Sequence, residues 1–321
     1  MAHPTIVATR ISLIALSAFL TLPAMAAEKS WTLSGQSLDV STPCARQVDI
    51  VPAAQMGEIT VRAVADHPEE IDALSISGGG NGVSVAKRGN RCPLSSSRKK
   101  ETLRLTITLP AGSDLSLREG GSGEYRVTVP VDRLDLRLLG SGGLTVDQVE
   151  GRLDASLSGS GGGLVARMGG GAAAIRASGS GGMQVGGLIG NLQIDLSGSG
   201  GVEVAAAGAT IIETSGSGGV RADSVNGPLS FEATGSGSLK LGTINADHVK
   251  IRTSGDGGAT IRDGRTGGLL VSATGSADAD LNIAADRADL STSGSGDIRV
   301  RQITGPVSQR RTGSGTIRIG G

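Results

Sequence analysis

The chain has 321 residues, with 30 basic and 30 acidic side chains, 53 glycines and 1% aromatic residues. So even a charge balance excludes a nucleic-acid binder, which needs a marked basic excess, and supplies no drive toward an anionic membrane surface. Glycine at this density signals disorder only where it is aperiodic, and here it recurs on a fixed beat between Val, Ile and Leu.

Residues 1–26 read as a secretory signal peptide, with Arg10 as the positive start, Ile11 to Leu22 as a short apolar run, and Ala24-Met25-Ala26 as the cleavage site. The run is about half of the ~20 residues a spanning helix needs. The expectation is a chain exported through the inner membrane, its mature part near neutral and without a transmembrane segment, located in the periplasm or at the cell surface, or secreted.

Residues 27–118 carry period-two, β-branched segments, Glu58 to Arg62, Leu74 to Ser77, Val83 to Val85 and Leu103 to Leu109, which predict strands with one buried face. This region is expected to be a β-rich amino-terminal part and cap, with Gly78 to Gly82 as an early corner of the repeat that follows. Cys44 and Cys92 are expected to form a disulfide, as an even pair in an exported chain does, closing a loop worth roughly 4 kcal/mol. A zinc reading lacks ligands, because His67 and His248 are the only histidines after the leader. Lys87, Arg88, Arg91, Arg98, Lys99 and Lys100 surround Cys92 and read as a solvated basic loop, with contact to an anionic surface as the functional alternative.

From residue 119 to 321 a Gly-Ser-Gly tripeptide organises the chain. The central residues of its copies and near-copies are Ser122, Ser141, Ser160, Ser180, Ser199, Ser217, Ser236, Asp256, Ser276, Ser295 and Ser314, always 18 to 20 positions apart. Such a period predicts an all-β fold, a parallel β-solenoid of about eleven coils, right-handed as parallel crossovers are. Counting from the central residue, the third and fifth positions are apolar in nearly every coil, for example Tyr125 and Val127, or Ile298 and Val300. They are expected to point inward together with the eighth (Val149, Met168, Leu188, Val225, Ile244, Ile303) and with the twelfth and fourteenth (Leu134 and Leu136, Leu229 and Phe231). Gly151, Gly170, Gly190, Gly227 and Gly305 precede that last pair and are expected to turn a corner at positive φ.

Catalytic use of the serines fails on spacing, because a nucleophile elbow needs Gly-X-Ser-X-Gly entering a helix and a histidine to take the proton. Calcium-binding nonapeptide rolls need an Asp on every half-turn, whereas only Asp256 interrupts the serine column. A polysaccharide-cleaving solenoid is the remaining enzyme alternative. Its carboxylates would be Asp278 and Asp297, on adjacent coils, with Asp280 and Asp256 completing an acidic strip. Without a long loop to wall a cleft, the strip reads as solvated surface, and neither cofactor nor metal is expected. In the last coil Val307 keeps the inward column, Gln309 and Arg311 depart from it, and Thr316 to Ile319 is expected to be an unpaired edge strand able to accept a partner.

The run Leu103 to Pro110, then Leu115-Ser-Leu117, then Gly-Ser-Gly-X-hydrophobic-X-Val coils resembles the auto-transporter adhesin family of the head GIN domain. The resemblance implies an exported, non-enzymatic β-solenoid of adhesin type and carries over no catalytic residue. Because an auto-transporter ends in a translocator barrel and this sequence is still coiling at Arg318, surface attachment through a partner or a periplasmic structural role is expected. The partner would be a protein or glycan of the cell envelope, and not nucleic acid.

Overall fold

The computed structural model describes residues 26–41, 45–79, 82–88 and 102–320. From Ser113 onward the chain winds a parallel β-solenoid of about eleven turns, and 71% of the structure is strand. Each coil lays one strand before its Gly-Ser-Gly corner and one after it. Strand Val131–Leu138 stacks between Ser113–Glu119 and Val149–Leu157, whereas Gly143–Val146 stacks between Glu124–Val127 and Gly162–Gly169. The strands before the corners thus build one face of the rod and the strands after them the other. Beyond Ser238 the strands run unbroken through the second corner, as Ser238–Gly255, Ala259–Gly275 and Ala279–Gly294.

Between the faces lies a continuous aliphatic core from Leu38 to Val300. Tyr125, Val127, Leu134 and Leu136 are all buried, as the alternation predicts, and the same positions repeat coil after coil. Each buried Val, Ile or Leu contributes roughly 1.5–3 kcal/mol of transfer free energy against the entropy of ordering the chain. In-register stacking puts like on like, so a bulky ring fits only where its neighbours yield: Phe231 is fully buried between Ile212 and Ile251.

At the corners the central residue faces solvent and the residue after it, glycine except at Ala277, is buried. In most coils the central amide donates to the first-glycine carbonyl of the preceding coil, 2.8 Å for Ser141 to Gly121 and 2.8 Å for Ser295 to Gly275, and at the Ser160, Ser180 and Ser314 corners the following glycine amide does so. Two different constraints demand glycine there. At Gly159 a Cβ would lie 1.8 Å from the Gly140 carbonyl oxygen, and at Gly255 φ is +121°. The second corner departs from expectation. Gly170 and Gly227 do have positive φ, but Gly151, Gly190 and Gly305 do not. Their constraint is close approach, as at Gly190, whose Cβ would come within 2.5 Å of the Gly170 carbonyl.

One inward column slips. Leu188 is 54% exposed, and Ile189 takes its place at 0%. The cause is an extra residue at Gly186 and Gly187 (φ +77°), where the register shifts between Val185 and Leu188. A single added residue reverses which side chains face inward.

The amino-terminal region joins the same sheet but in a different order. Strand Ala27–Ser34 runs antiparallel to Glu58–Ala65, placing Trp31 against Val61 with the Lys29 ammonium 5.2 Å from the ring centre. A five-residue helix, Pro68–Asp72, interrupts the otherwise all-β chain. Gly78 to Gly82 is no solenoid corner: Leu74–Gly79 and Gly82–Lys87 pair antiparallel as a hairpin. Strands Ser37–Ser41 and Gln47–Pro52 form a coil lying between later segments. The first has Gly82–Lys87 on one side and Ser113–Glu119 on the other. The second lies between Arg104–Leu109 and Glu124–Val127.

At the other end, Val307–Gly313 stacks on Ala288–Gly294 with Gln309 over the buried Leu290 and Arg311 over Thr292. Val307 keeps the inward register yet is 39% exposed. Ile317–Ile319, expected to be unpaired, pairs along one edge with Ile298–Val300, because Ile317 keeps its place on the apolar column. Residues 1–25 of the expected signal peptide (1–26), both cysteines of the expected disulfide and residues 89–101 of the basic loop lie outside the described residues. Among the described residues no helix is long and apolar enough to cross a membrane.

Candidate functional site

The acidic strip is the first place to look, and its carboxylates turn out to serve the backbone. Asp278 Oδ1 accepts the Asp297 amide at 2.8 Å, and Asp297 Oδ1 accepts the Thr316 amide at 2.9 Å and the Thr316 hydroxyl at 2.8 Å. Each aspartate satisfies an amide of the next coil, a staircase that the residue spacing alone does not reveal. Asp297 also receives a hydrogen bond from Arg299 at 2.9 Å. Its carboxyl is held below the ordinary carboxylate range, first by the Thr316 amide and then by the Thr316 hydroxyl, with the Arg299 and Arg318 charges assisting. Asp280 is exposed on the same strand as Asp278, in register with Thr260 and Arg299. Asp256 is exposed at its corner, its amide bonded to the Gly235 carbonyl at 3.0 Å. No group of three or more His, Cys, Asp or Glu able to hold a metal ion occurs among the described residues.

A long concavity lies elsewhere, on the face formed by strands after the corners. It measures about 940 Å³ and runs along the rod across several coils, from Gln47 and Asp49 to Gly201 and Glu203. Its floor is a column of glycines two residues past the corner serine: Gly143, Gly162, Gly182, Gly201 and, continuing the line, Gly219. Corner serines such as Ser141 form one wall, and Thr145, Leu164, Gln184 and Glu203 the other.

These glycines are less constrained than those of the corners: none has positive φ, and a Cβ on Gly162, Gly182 or Gly219 would meet its nearest atom at 3.2–3.3 Å, against about 2 Å at the corners. A Cβ on Gly143 would meet nothing within 4 Å, and on Gly201 the nearest atom would be 3.5 Å away. Neither has positive φ. Glycine inside a strand costs roughly 0.5–1 kcal/mol relative to alanine, so a run on consecutive coils gives up stability while leaving bare backbone in an open trough. Sequence reasoning passed over this feature although the signal was present: the corner reads Gly-Ser-Gly-Gly on five successive coils, 140–143 through 216–219.

At the trough Glu203 pairs with Arg221, and on the opposite face, built by the strands before the corners, the outward side chains likewise form ladders of opposite charge instead of a single-sign field. Arg152 holds the Asp154 carboxyl below its usual range through paired hydrogen bonds of 2.6 and 2.9 Å. Lys250 and Arg252 share Glu232. A surface so neutralised does not steer a strongly charged polymer.

The fold and surface together define a class: a repeat solenoid whose interior is filled with aliphatic side chains and whose recognition chemistry, if any, lies on its outer faces. The chain belongs to the family described as "Putative auto-transporter adhesin, head GIN domain", whose model matches residues 88–228 and again 212–321. Among solved structures it is similar to a "putative adhesin" from Parabacteroides merdae, at 14% identity over 92% of this chain and 96% of that one, with a TM-score of 0.38. Another is a "putative lipid binding protein" from Parabacteroides distasonis, at 14% identity over 91% of this chain and 96% of that one, TM-score 0.33. A "putative adhesin" from Bacteroides fragilis has 14% identity over 91% and 97%, TM-score 0.27. No curated protein matches the sequence.

Proposed function

We propose that this chain is a non-enzymatic binding protein of the cell envelope, exported and adhesin-like, which lays an extended and largely neutral polymer along its glycine-floored trough. The observation that carries this reading is the run of strand glycines on five successive coils, two of which, Gly143 and Gly201, stand where a Cβ would fit without displacing a neighbour. A groove parallel to the rod presents equivalent backbone groups at the ~4.8 Å strand spacing, which suits a chain-like ligand better than a compact one. Adhesin membership of the family supports binding as the role.

The test is a glycan and peptide array probed with the wild-type chain and with a Gly143→Thr/Gly201→Thr double variant. Threonine suits a strand, and its Cβ meets nothing within 4 Å at Gly143 and an ordinary 3.5 Å contact at Gly201, so the variant should fold and lose its array signal. Retained binding by the folded variant refutes the trough. Cleavage of a polysaccharide panel that disappears in Asp278→Asn or Asp297→Asn refutes the non-enzymatic assignment. Protease shaving of intact cells distinguishes surface display from a periplasmic structural module.

A further inference from the structure

Away from the trough, three successive coils align His248, Gly268 and Arg287 at one register position. The middle residue has no side chain, and the outer two lean into the gap. A Cβ on Gly268 would meet His248 Nδ1 at 3.1 Å and Arg287 Nη2 and Nε at 3.4 and 3.5 Å. An imidazole and a guanidinium therefore converge from opposite sides on one empty point. That slot opens into a concavity of about 500 Å³ whose remaining wall includes Leu270, Pro306 and Val307, the last 39% exposed.

The charges around the slot are unevenly committed. Lys250, on the wall of the same concavity, is paired to Glu232. Arg287 forms no ion pair among the described residues. A guanidinium with its planar donors free, beside an imidazole and above an apolar wall, matches an oxyanion attached to an apolar body. Asp289, two residues along from Arg287, lines the same concavity and opposes a second negative charge.

We propose that this slot binds a singly charged oxyanion, a carboxylate or a phosphate diester, carried on an apolar body. The oxyanion occupies the space over Gly268 between Arg287 and His248, and the apolar part lies on Leu270, Pro306 and Val307. None of these residues lines the trough, so the proposal stands apart from the reading above.

The experiment titrates the isotope-labelled chain with four probes and follows the Gly268 amide and Arg287 Nε resonances. Octanoate supplies the carboxylate, dibutyl phosphate the diester, 1-octanol the apolar body without charge, and inorganic phosphate the charge without an apolar body. Saturable shifts with octanoate or dibutyl phosphate, at least about tenfold tighter than with the other two, are expected, and the stronger of the two anions identifies the headgroup chemistry. Arg287→Gln should weaken that binding about tenfold with an unchanged unfolding midpoint, since the side chain is exposed. Gly268→Ala should weaken it similarly by filling the slot, and Asp289→Asn should improve binding of inorganic phosphate. The proposal is overturned by the absence of saturable shifts up to ~10 mM, by equal response to octanol and octanoate, or by unchanged affinity in Arg287→Gln.

Discussion

Two glycine-to-alanine changes sixteen residues apart should have opposite effects. At Gly159 the new methyl would lie 1.8 Å from the Gly140 carbonyl oxygen, 2.7 Å from its carbon and 2.8 Å from the Leu139 oxygen. Ordinary carbon contacts are ~3.5–4 Å, so the two corners must part by more than ~1 Å. That separation breaks the hydrogen bond from the Gly161 amide to the Gly140 carbonyl, now 3.1 Å. It also pushes against Gly179, whose own Cβ position is 2.0 Å from the Gly159 carbonyl, so the strain passes up the stack. Overpacking of ~1–3 kcal/mol and an unsatisfied amide of similar cost put Gly159→Ala at about 3–5 kcal/mol destabilising. At Gly143 a methyl meets nothing within 4 Å and φ is ordinary, so the gain is the ~0.5–1 kcal/mol by which alanine exceeds glycine in a strand. Urea midpoints of the two variants and wild type, read by circular dichroism, measure this. Gly159→Ala within ~1 kcal/mol of wild type, or Gly143→Ala as unstable as Gly159→Ala, refutes the stacking argument.

Three further outcomes follow from the geometry. Leu188→Ala should be nearly neutral and Ile189→Ala should cost about 2–4 kcal/mol, because only the latter is buried; thermal unfolding of both variants decides it. Phe231→Ala removes the largest fully buried side chain among the described residues and should cost about 3–5 kcal/mol in the same assay. Asp297→Asn should speed hydrogen exchange of the Thr316 amide about tenfold. Because the folded carboxyl is depressed, its contribution is present above the unfolded value near ~3.9 and is lost as pH falls through the lower folded value. Amide protection at Thr316 should therefore fall selectively on acidification, and a flat profile contradicts the staircase.

Much of the repeat region was legible because it rests on local rules. A fixed period gives the coils, and alternation gives the inward columns at Tyr125 and Val127 or Ile298 and Val300. Leu188 was misplaced because one extra residue in a glycine pair leaves no trace in composition yet exchanges the faces of Leu188 and Ile189 before the inward column resumes at Leu192. The role of Asp278 and Asp297 was hidden for another reason: sequence spacing brings them onto neighbouring coils but does not say whether a carboxylate turns outward or bonds the next amide. The glycine trough was readable in Gly-Ser-Gly-Gly, but glycines forced by the corner masked the less constrained ones beside them. Least legible was the amino-terminal order, where hairpin and solenoid strands have the same period of two.

That order governs how the molecule can assemble. The coil of Ser37–Ser41 and Gln47–Pro52 is an early part of the chain, yet its neighbours on one side are Ser113–Glu119 and Glu124–Val127. A chain emerging from its amino terminus cannot complete this coil until about residue 127 is available, so its beginning waits on residues some eighty positions later. Once that junction closes, each following coil needs only the one before it, and growth proceeds toward the carboxy terminus as a zipper. The slow step of folding should therefore lie in the amino-terminal junction, and the repeats that make up most of the rod should follow quickly.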